Sequence, residues 1–167
     1  MLRKTFPILC FLLFSFHLSH AQLEGAYVTT KNSNAFGYGG FLNFSLPVAE
    51  VNYITIDAGY QYFEGKNIDQ MSLVPLLLGY RYTLDQSGSG WYLEPNAGYT
   101  FDASPTYGND PEGASAGIGF GYLVDLGNVP FNFSARYEHL FGNPAAQVFS
   151  IRIAHSLSLR FRNRDNY

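Results

Sequence analysis

The residues that could do chemistry in this chain are mainly carboxylates and guanidinium groups, which recur within segments that alternate between polar and apolar residues. Arginine suits carboxylate pairing because its planar guanidinium can hold a carboxylate through two hydrogen bonds. Buried charges are tolerated when they are paired and hydrogen-bonded. On one face of a closed structure these side chains would form an ion-pair network, and the alternative is that some of them lie in water at its rims. The candidate residues are Glu24, Asp57, Arg81, Glu94, Arg136, Glu138, Arg152 and Arg160.

Nucleophiles and metal ligands are scarce. The only cysteine, Cys10, lies in an N-terminal apolar run, so the rest of the chain offers no thiol chemistry. His139 lies near the outer rim of the predicted barrel and His155 lies between Ile153 and Leu157, and a single histidine is not a metal site. The segment from Asp102 to Gly113 carries three acids that could bind a divalent cation, but we expect an ordinary solvated loop. We therefore predict no metal site and no cofactor.

The N-terminus has the order of a secretory signal peptide. Arg3 and Lys4 precede an apolar run over residues 6–16, and the small-residue site at residues 19–21 follows. A spanning helix needs roughly 20 apolar residues, so the alternative of a membrane anchor is disfavoured by a run half that long. We predict a signal peptide over residues 1–21, with cleavage after Ala21, and a single domain over residues 22–167.

Charge and composition narrow the class of protein. Only 14% of the residues are charged, whereas about 25% is usual for a soluble domain. The net charge of −3 provides no basic surface, and we therefore expect no nucleic-acid partner. After the N-terminal run, no segment is long enough for a spanning helix. A closed β-barrel is then the remaining way for this chain to satisfy its backbone in lipid.

Apolar and polar residues alternate with a period of two over most of the chain, which indicates β-strands. Leu93, Ala97 and Tyr99, for example, share one face of their segment, whereas Glu94 and Asn96 share the other. Short turn-forming stretches separate the segments, so neighbours in sequence should pair antiparallel in up-and-down order. The pattern predicts an all-β, eight-stranded antiparallel barrel, with segments at 23–30, 35–46, 54–62, 71–84, 91–101, 113–125, 131–138 and 149–161.

The side-chain sizes indicate which face points outward. A soluble barrel of the lipocalin type would place the apolar face inside, but eight strands enclose only enough room for modest side chains. Here the apolar face is rich in aromatic rings, and the opposite face is rich in glycine and serine, which suit a crowded lumen. The pattern therefore favours a transmembrane barrel with its small and charged residues inside.

Aromatic residues are concentrated toward the strand ends. Two aromatic girdles at the lipid–water interfaces are typical of outer-membrane barrels, although aromatics also favour strands in general. The predicted girdle residues are Tyr60, Tyr62, Tyr82, Trp91, Tyr99, Phe101, Phe131, Tyr137 and Phe161.

Several segments together resemble a known family of membrane proteins. The stretches 72–82 and 91–99 and the glycine-aromatic run 117–122 are similar to those of small OmpA-like and OmpX-like barrels of Gram-negative bacteria. The alternating stretch Leu157 to Phe161 looks like the C-terminal signal read by the barrel assembly machinery. The resemblance implies an eight-stranded barrel in the outer membrane, reached through the periplasm, and it indicates a fold more than an activity.

A second resemblance raises the possibility of an enzyme. Residues 136–143 are similar to the active strand of the lipid A deacylase barrels, which carry a serine two places after the histidine and an acid further on. Position 141 is Phe here and no glutamate follows His139. A nucleophile needs a base and an orienting group within reach. We therefore predict that the protein is not an enzyme.

The sequence thus predicts a monomeric outer-membrane barrel with a structural or surface-interaction role and a lumen plugged by ion pairs. The alternatives are a lipid-modifying enzyme and a narrow channel for small molecules. The expected partners are outer-membrane lipids, lipopolysaccharide and the barrel assembly machinery. Two strand positions are unusual: Pro95, where we expect a bulge because proline lacks an N–H, and His155, where an outward parity suggests a bulge or burial.

Overall fold

The protein is described by a computed structural model that covers residues 19–31, 33–65, 68–85, 89–104, 111–126 and 129–156. Among these residues, no helix is long and apolar enough to cross a membrane. The strands are β1 (Ser19–Thr30), β2 (Asn34–Pro47), β3 (Asn52–Gly65), β4 (Ile68–Thr83), β5 (Gly90–Asp102), β6 (Gly113–Leu126), β7 (Val129–Leu140) and β8 (Ala146–Ser156).

The eight strands form one closed barrel in sequence order. Every strand pairs antiparallel with its neighbours in sequence, and β1 closes the barrel by pairing with β8, with Glu24 opposite Arg152. Closure leaves no exposed sheet edge, so every strand finds a partner for its backbone on both sides. The fold prediction is confirmed: the protein is an eight-stranded antiparallel barrel of the transmembrane type.

The connections define two ends of the barrel. The loop end carries the connections at 31–33, 66–67, 103–112 and 141–145. The terminus end carries those at 48–51, 84–89 and 127–128, together with the start of β1 and the end of β8. Strand β1 already pairs with β2 at Ser19, so cleavage after Ala21 would remove the first three residues of this strand. Residues 1–18 of the predicted signal peptide lie outside the described ranges.

The pleat of each strand sorts side chains between lipid and lumen, because successive residues point to opposite faces. On β8 the exposed fraction is 69% for Ile151 and 1% for its neighbour Arg152. The outward positions of the barrel carry large exposed apolar side chains, among them Leu23, Leu78 and Phe120. An apolar exterior around a polar interior is the arrangement of a transmembrane barrel.

The predicted bulge at Pro95 is wrong. The β4–β5 register is the same on both sides of this residue, with Gly79 opposite Asn96 and Tyr82 opposite Leu93. Instead, the backbone ladder lacks the two residue pairs between these positions. The β3–β4 ladder has a gap of the same size at Pro75, where two pairs are missing between Ala58–Leu76 and Gln61–Leu73. Each missing donor is therefore accommodated by a short gap in hydrogen bonding on one side of the proline, without an inserted residue.

The expectation of a bulge or burial at His155 is also wrong. The β7–β8 register is constant along the whole pairing, and His155 is exposed. Its ring meets the ring of Phe131 edge to face, with 5.5 Å between centroids. Because the residue lies near the terminus end, at the rim of the barrel, its polar ring does not have to enter the apolar band.

Candidate functional site

The barrel lumen contains most of the charged side chains that the sequence singled out. Strand parity turns them inward, and the closed barrel then brings together residues that are distant in sequence. Six of them, joined by ion pairs, are called the polar network here. Its members are Glu24, Asp57, Arg81, Glu94, Arg136 and Arg152.

Arg136 is the centre of the polar network. Its Nη2 lies 2.8 Å from Glu94 Oε1 and also donates to Asp57 Oδ2. Arg81 completes the contact on one side through its Nε, which lies 2.7 Å from Glu94 Oε2. On the other side Nη1 of Arg152 lies 3.4 Å from Asp57 Oδ2. The carboxylates of Asp57 and Glu94 are therefore each shared by two arginines.

The network is extended by neutral hydrogen bonds. Arg152 donates from Nε to Glu24, which also accepts a 2.5 Å hydrogen bond from Nε2 of Gln61. Asn43, which lies opposite Asp57 in the β2–β3 register, donates to it. These contacts connect side chains from seven of the eight strands, and the polar network therefore ties opposite walls of the barrel together.

Glycine on the inner face makes room for the network. A Cβ at Gly59 would lie 2.4 Å from the ring of Phe41, so this ring packs directly against the backbone of β3. The guanidinium of Arg152 stacks over the same ring, with its Cζ 3.8 Å from the ring centroid. A cation over an aromatic face is electrostatically favourable. Gly59 therefore allows the Phe41 ring to pack against β3, and this ring in turn contacts the guanidinium of Arg152.

Two residues that the sequence predicted for the ion-pair network are not members of the polar network. Glu138 is buried but forms no ion pair within the described ranges; Thr100 Oγ1 donates to its Oε1 at 3.2 Å. Arg160 lies outside the described residues. The sequence predicted four acids and four arginines in the lumen, whereas the described lumen contains four acids and three arginines. Nη1 of Arg136 and Nη2 of Arg152 are buried there without a protein partner.

A second inner region was missed by the sequence reasoning. It fills the lumen near the loop end with apolar side chains and is called the apolar cluster here. Met71 and Leu140, for example, are no more than 1% exposed. Near the loop end, β3, β4, β7 and β8 have apolar residues on both the inward and the outward face. This loss of alternation is the sequence signal that could have indicated an apolar filling of the lumen. The members are Ala26, Val28, Ala35, Phe63, Met71, Leu73, Leu140, Ala146 and Val148.

The predicted girdle residues lie on the outer face toward the two ends. Trp91 is half exposed near the terminus end and stacks on Phe120, with 4.8 Å between ring centroids. Tyr99 packs against Phe101 near the loop end at the same distance. Tyr62 contacts Tyr38, Tyr137 contacts Phe149, and Phe131 contacts Phe133. Tyr60 and Tyr82 are exposed outward, and Phe161 lies outside the described ranges.

The described residues around His139 do not form a catalytic arrangement of nucleophile and base. Its ring contacts Phe141 at the loop end, with 4.6 Å between centroids. The adjacent carboxylate of Glu138 points into the lumen, because neighbouring residues of a strand face opposite sides. Among the described residues, no group of three histidine, cysteine, aspartate or glutamate side chains could hold a metal ion. The described part of this segment therefore provides no base paired with a nucleophile.

Comparison with known proteins bears on the fold. No family model matches the sequence, and no curated protein matches it. Among solved structures, the barrel is similar to Neisserial surface protein A, with a TM-score of 0.68 and 13% identity over 84% of this chain and 96% of that one. This chain has the fold of a small outer-membrane barrel.

Two further structures agree with this conclusion. The attachment invasion locus protein Ail of Yersinia pestis has a TM-score of 0.59 and 11% identity, over 83% of this chain and 95% of that one. The N-terminal β-barrel domain of Pseudomonas aeruginosa OprF has a TM-score of 0.53 and 15% identity, over 82% and 96%. At such low identity the similarity concerns the fold, in agreement with the resemblance seen in the sequence.

Proposed function

We propose that this protein is an outer-membrane barrel with a closed lumen and a structural or surface-interaction role. The observation that carries the proposal is the stacking of two different fillings along the lumen. The polar network crosses the barrel from Arg81 on β4 to Glu24 on β1. The apolar cluster closes the loop end with side chains such as Phe63 and Leu73, neither of which is accessible to solvent.

The two fillings oppose conduction for different reasons. In the network, an ion would have to displace charge-assisted hydrogen bonds between buried groups. In the apolar cluster, an ion would have to shed its water among side chains that offer no polar contact, and hydrophobic constrictions block conduction by dewetting. Both barriers lie in series along one narrow barrel.

Recordings in planar lipid bilayers test the closed lumen. We expect the refolded protein to show no conductance steps above the lipid background, while a large open porin in the same bilayer shows them. Frequent, uniform steps from the wild-type barrel would contradict the proposal and favour the narrow-channel alternative.

The fold also supports a proposal for the cellular location of the protein and for its export route. We propose export through the segment 1–21 and insertion by the barrel assembly machinery through the segment from Leu157 to Phe161, to give a monomer. Cell fractionation followed by gel electrophoresis with and without boiling tests this. The folded barrel should be found in the outer-membrane fraction and should migrate differently after boiling; recovery in the soluble fraction would contradict it.

The surface-interaction role rests on the neighbours and on the loop end. Two of the similar structures are named as a surface protein and as an attachment invasion locus protein. In this chain the longest connection, 103–112, lies at the loop end, which we propose to face the exterior. Protease added to intact cells should then cut within this connection, whereas cleavage only after the outer membrane is opened would reverse the orientation.

A further inference from the structure

A groove of about 1040 Å³ crosses the lipid-facing wall of the barrel. Its lining comes from the six adjacent strands β5 to β8, β1 and β2, and it consists largely of outward apolar side chains. Adjacent strands lie about 4.8 Å apart, so the groove is considerably wider than one hydrocarbon chain. Much of the barrel's outer surface carries large apolar side chains, and in the groove this wall recedes.

Two small residues produce the depression. Gly25 and Ala135 lie on either side of Ile151 in the strand register. The next row toward the loop end contains large rings, with Phe149 between Tyr27 and Tyr137. A Cβ at Gly25 would meet no atom within 4 Å. The floor of the groove is therefore open space that the protein does not fill with its own side chains, beneath an aromatic ledge.

The connections above the β7, β8, β1 and β2 side of the groove differ in charge from the other two. The connection above β1 carries the exposed Lys31, and the sequence of residues 141–147, above β7 and β8, contains no acid. The acids of the loop end belong to the other two connections, around Glu64 and Glu112. The second of these joins β5 and β6 and therefore lies above the far side of the groove. A ligand with hydrocarbon on the β8–β1 side of the groove and negative charge at the loop end would therefore meet an attractive cation.

The distance between floor and cation suits a membrane lipid. Lys31 follows Gly25 by six residues, which is roughly 20 Å along an extended strand. A lipid whose chains reach the floor would then have its headgroup near the ammonium of Lys31. The phenol groups of Tyr27 and Tyr137 lie between these levels, and such amphipathic rings favour the zone between hydrocarbon and headgroups.

We propose that this groove binds the acyl chains of lipopolysaccharide, through its lipid A part, with Lys31 contacting a lipid A phosphate. A multi-chain lipid suits a groove formed by six strands better than a two-chain phospholipid does. The inference rests on the proposed outer-membrane location with the loop end outward, because lipopolysaccharide occupies the outer leaflet. It adds to that proposal a defined lipid site on one wall of the barrel.

Native mass spectrometry of the detergent-solubilised barrel with added lipid A tests the site. Gly25→Leu fills the floor, and Gly40→Leu is the matched control. Gly40 is also an exposed outward glycine, its added Cβ would meet only a backbone oxygen at 3.8 Å, and it does not line the groove. We expect Gly25→Leu to weaken lipid A retention about tenfold by steric overlap and Gly40→Leu to leave it unchanged.

The cation is tested with Lys31→Gln and with dephosphorylated lipid A. We expect the substitution to weaken retention of lipid A about fivefold and to leave the dephosphorylated form unaffected. Equal retention by Gly25→Leu and Gly40→Leu, or no retention by the wild type, would overturn the inference. Retention of phosphatidylglycerol in place of lipid A would indicate a phospholipid groove, and a dimer lost in Gly25→Leu would indicate a second copy; either result overturns the assignment to lipopolysaccharide.

Failure of this inference can be distinguished from failure of the proposed function. Fractionation and bilayer recordings report location and conductance, and neither depends on lipid retention in detergent. A barrel found in the outer membrane without conductance and without bound lipid A would keep the proposed function and remove the lipid site. Boiling-dependent gel migration of each variant shows that it still folds.

Discussion

The polar network and the apolar cluster both fill the lumen, but they do so with opposite chemistry. The polar network consists of charges that depend on specific partners, whereas the apolar cluster consists of side chains that need only close contact. In the network, removing one member leaves the remaining buried charges unbalanced and with fewer partners. In the cluster, removing one member leaves a cavity that neighbours can partly close. One region therefore fixes which strands face each other, and the other tolerates substitution.

The largest effect is expected at the centre of the polar network. Arg136→Met should lower the free energy of unfolding by about 3–5 kcal/mol, because Asp57 loses one of its two arginines and Glu94 loses one of its own. Urea unfolding in lipid vesicles, followed by tryptophan fluorescence, measures it. If the loss were no greater than that of a cluster variant, the distinction between the two regions would fail.

A smaller effect is expected in the apolar cluster. Met71→Ala should cost about 2–3 kcal/mol, because it removes buried contacts and leaves a cavity without exposing a charge. Met71→Leu, of similar volume, is the control and should cost less than about 1.5 kcal/mol. The same urea titrations apply, and a large loss for the leucine variant would show that the cluster is as specific as the network.

The glycine beneath the network gives an intermediate test. Gly59→Ala should cost about 1–2 kcal/mol, because the added Cβ would lie 2.4 Å from the Phe41 ring, on which Arg152 stacks. Gly40→Leu on the outer face is the control. A loss for the control equal to that for Gly59→Ala would mean that the inner face is no more tightly packed than the outer.

The smallest effect concerns the boundary between the two regions. Glu138 lies one inward position from Arg136 and one from Leu140, and Thr100 donates a hydrogen bond to it. Thr100→Val should cost about 1 kcal/mol through loss of this bond, and Thr100→Ser should largely retain stability. An effect as large as that of Arg136→Met would place Glu138 within the network after all.

Much of the fold could be predicted because a barrel strand carries a local signal. Period-two alternation places Arg81, Arg136 and Arg152 on one face wherever the strand pairs. Bulky aromatics on the other face then indicate lipid outside. The apolar cluster was missed because the strand ends are apolar at both parities, so alternation does not separate lumen from lipid there.

The prolines and the rim histidine show where local rules mislead. A proline within a closed sheet suggests a bulge, yet the register at Pro95 is unbroken because the ladder gives up two pairs on one side. The outward parity of His155 suggests a polar ring in lipid. Its height along the barrel, which depends on strand tilt and register, places it at the rim instead.

The sequence by itself determined the strands, their order and the parity of the charged residues that the structure describes, because these follow from neighbours one or two positions away. Only the tertiary structure decided the partners. Arg136 reaches Asp57 across 79 positions, and Arg152 reaches Glu24 across 128. Both contacts depend on how far each strand is shifted as the sheet closes. The lipid-facing groove is decided at the same level, since closure brings Gly25 and Ala135 to either side of Ile151.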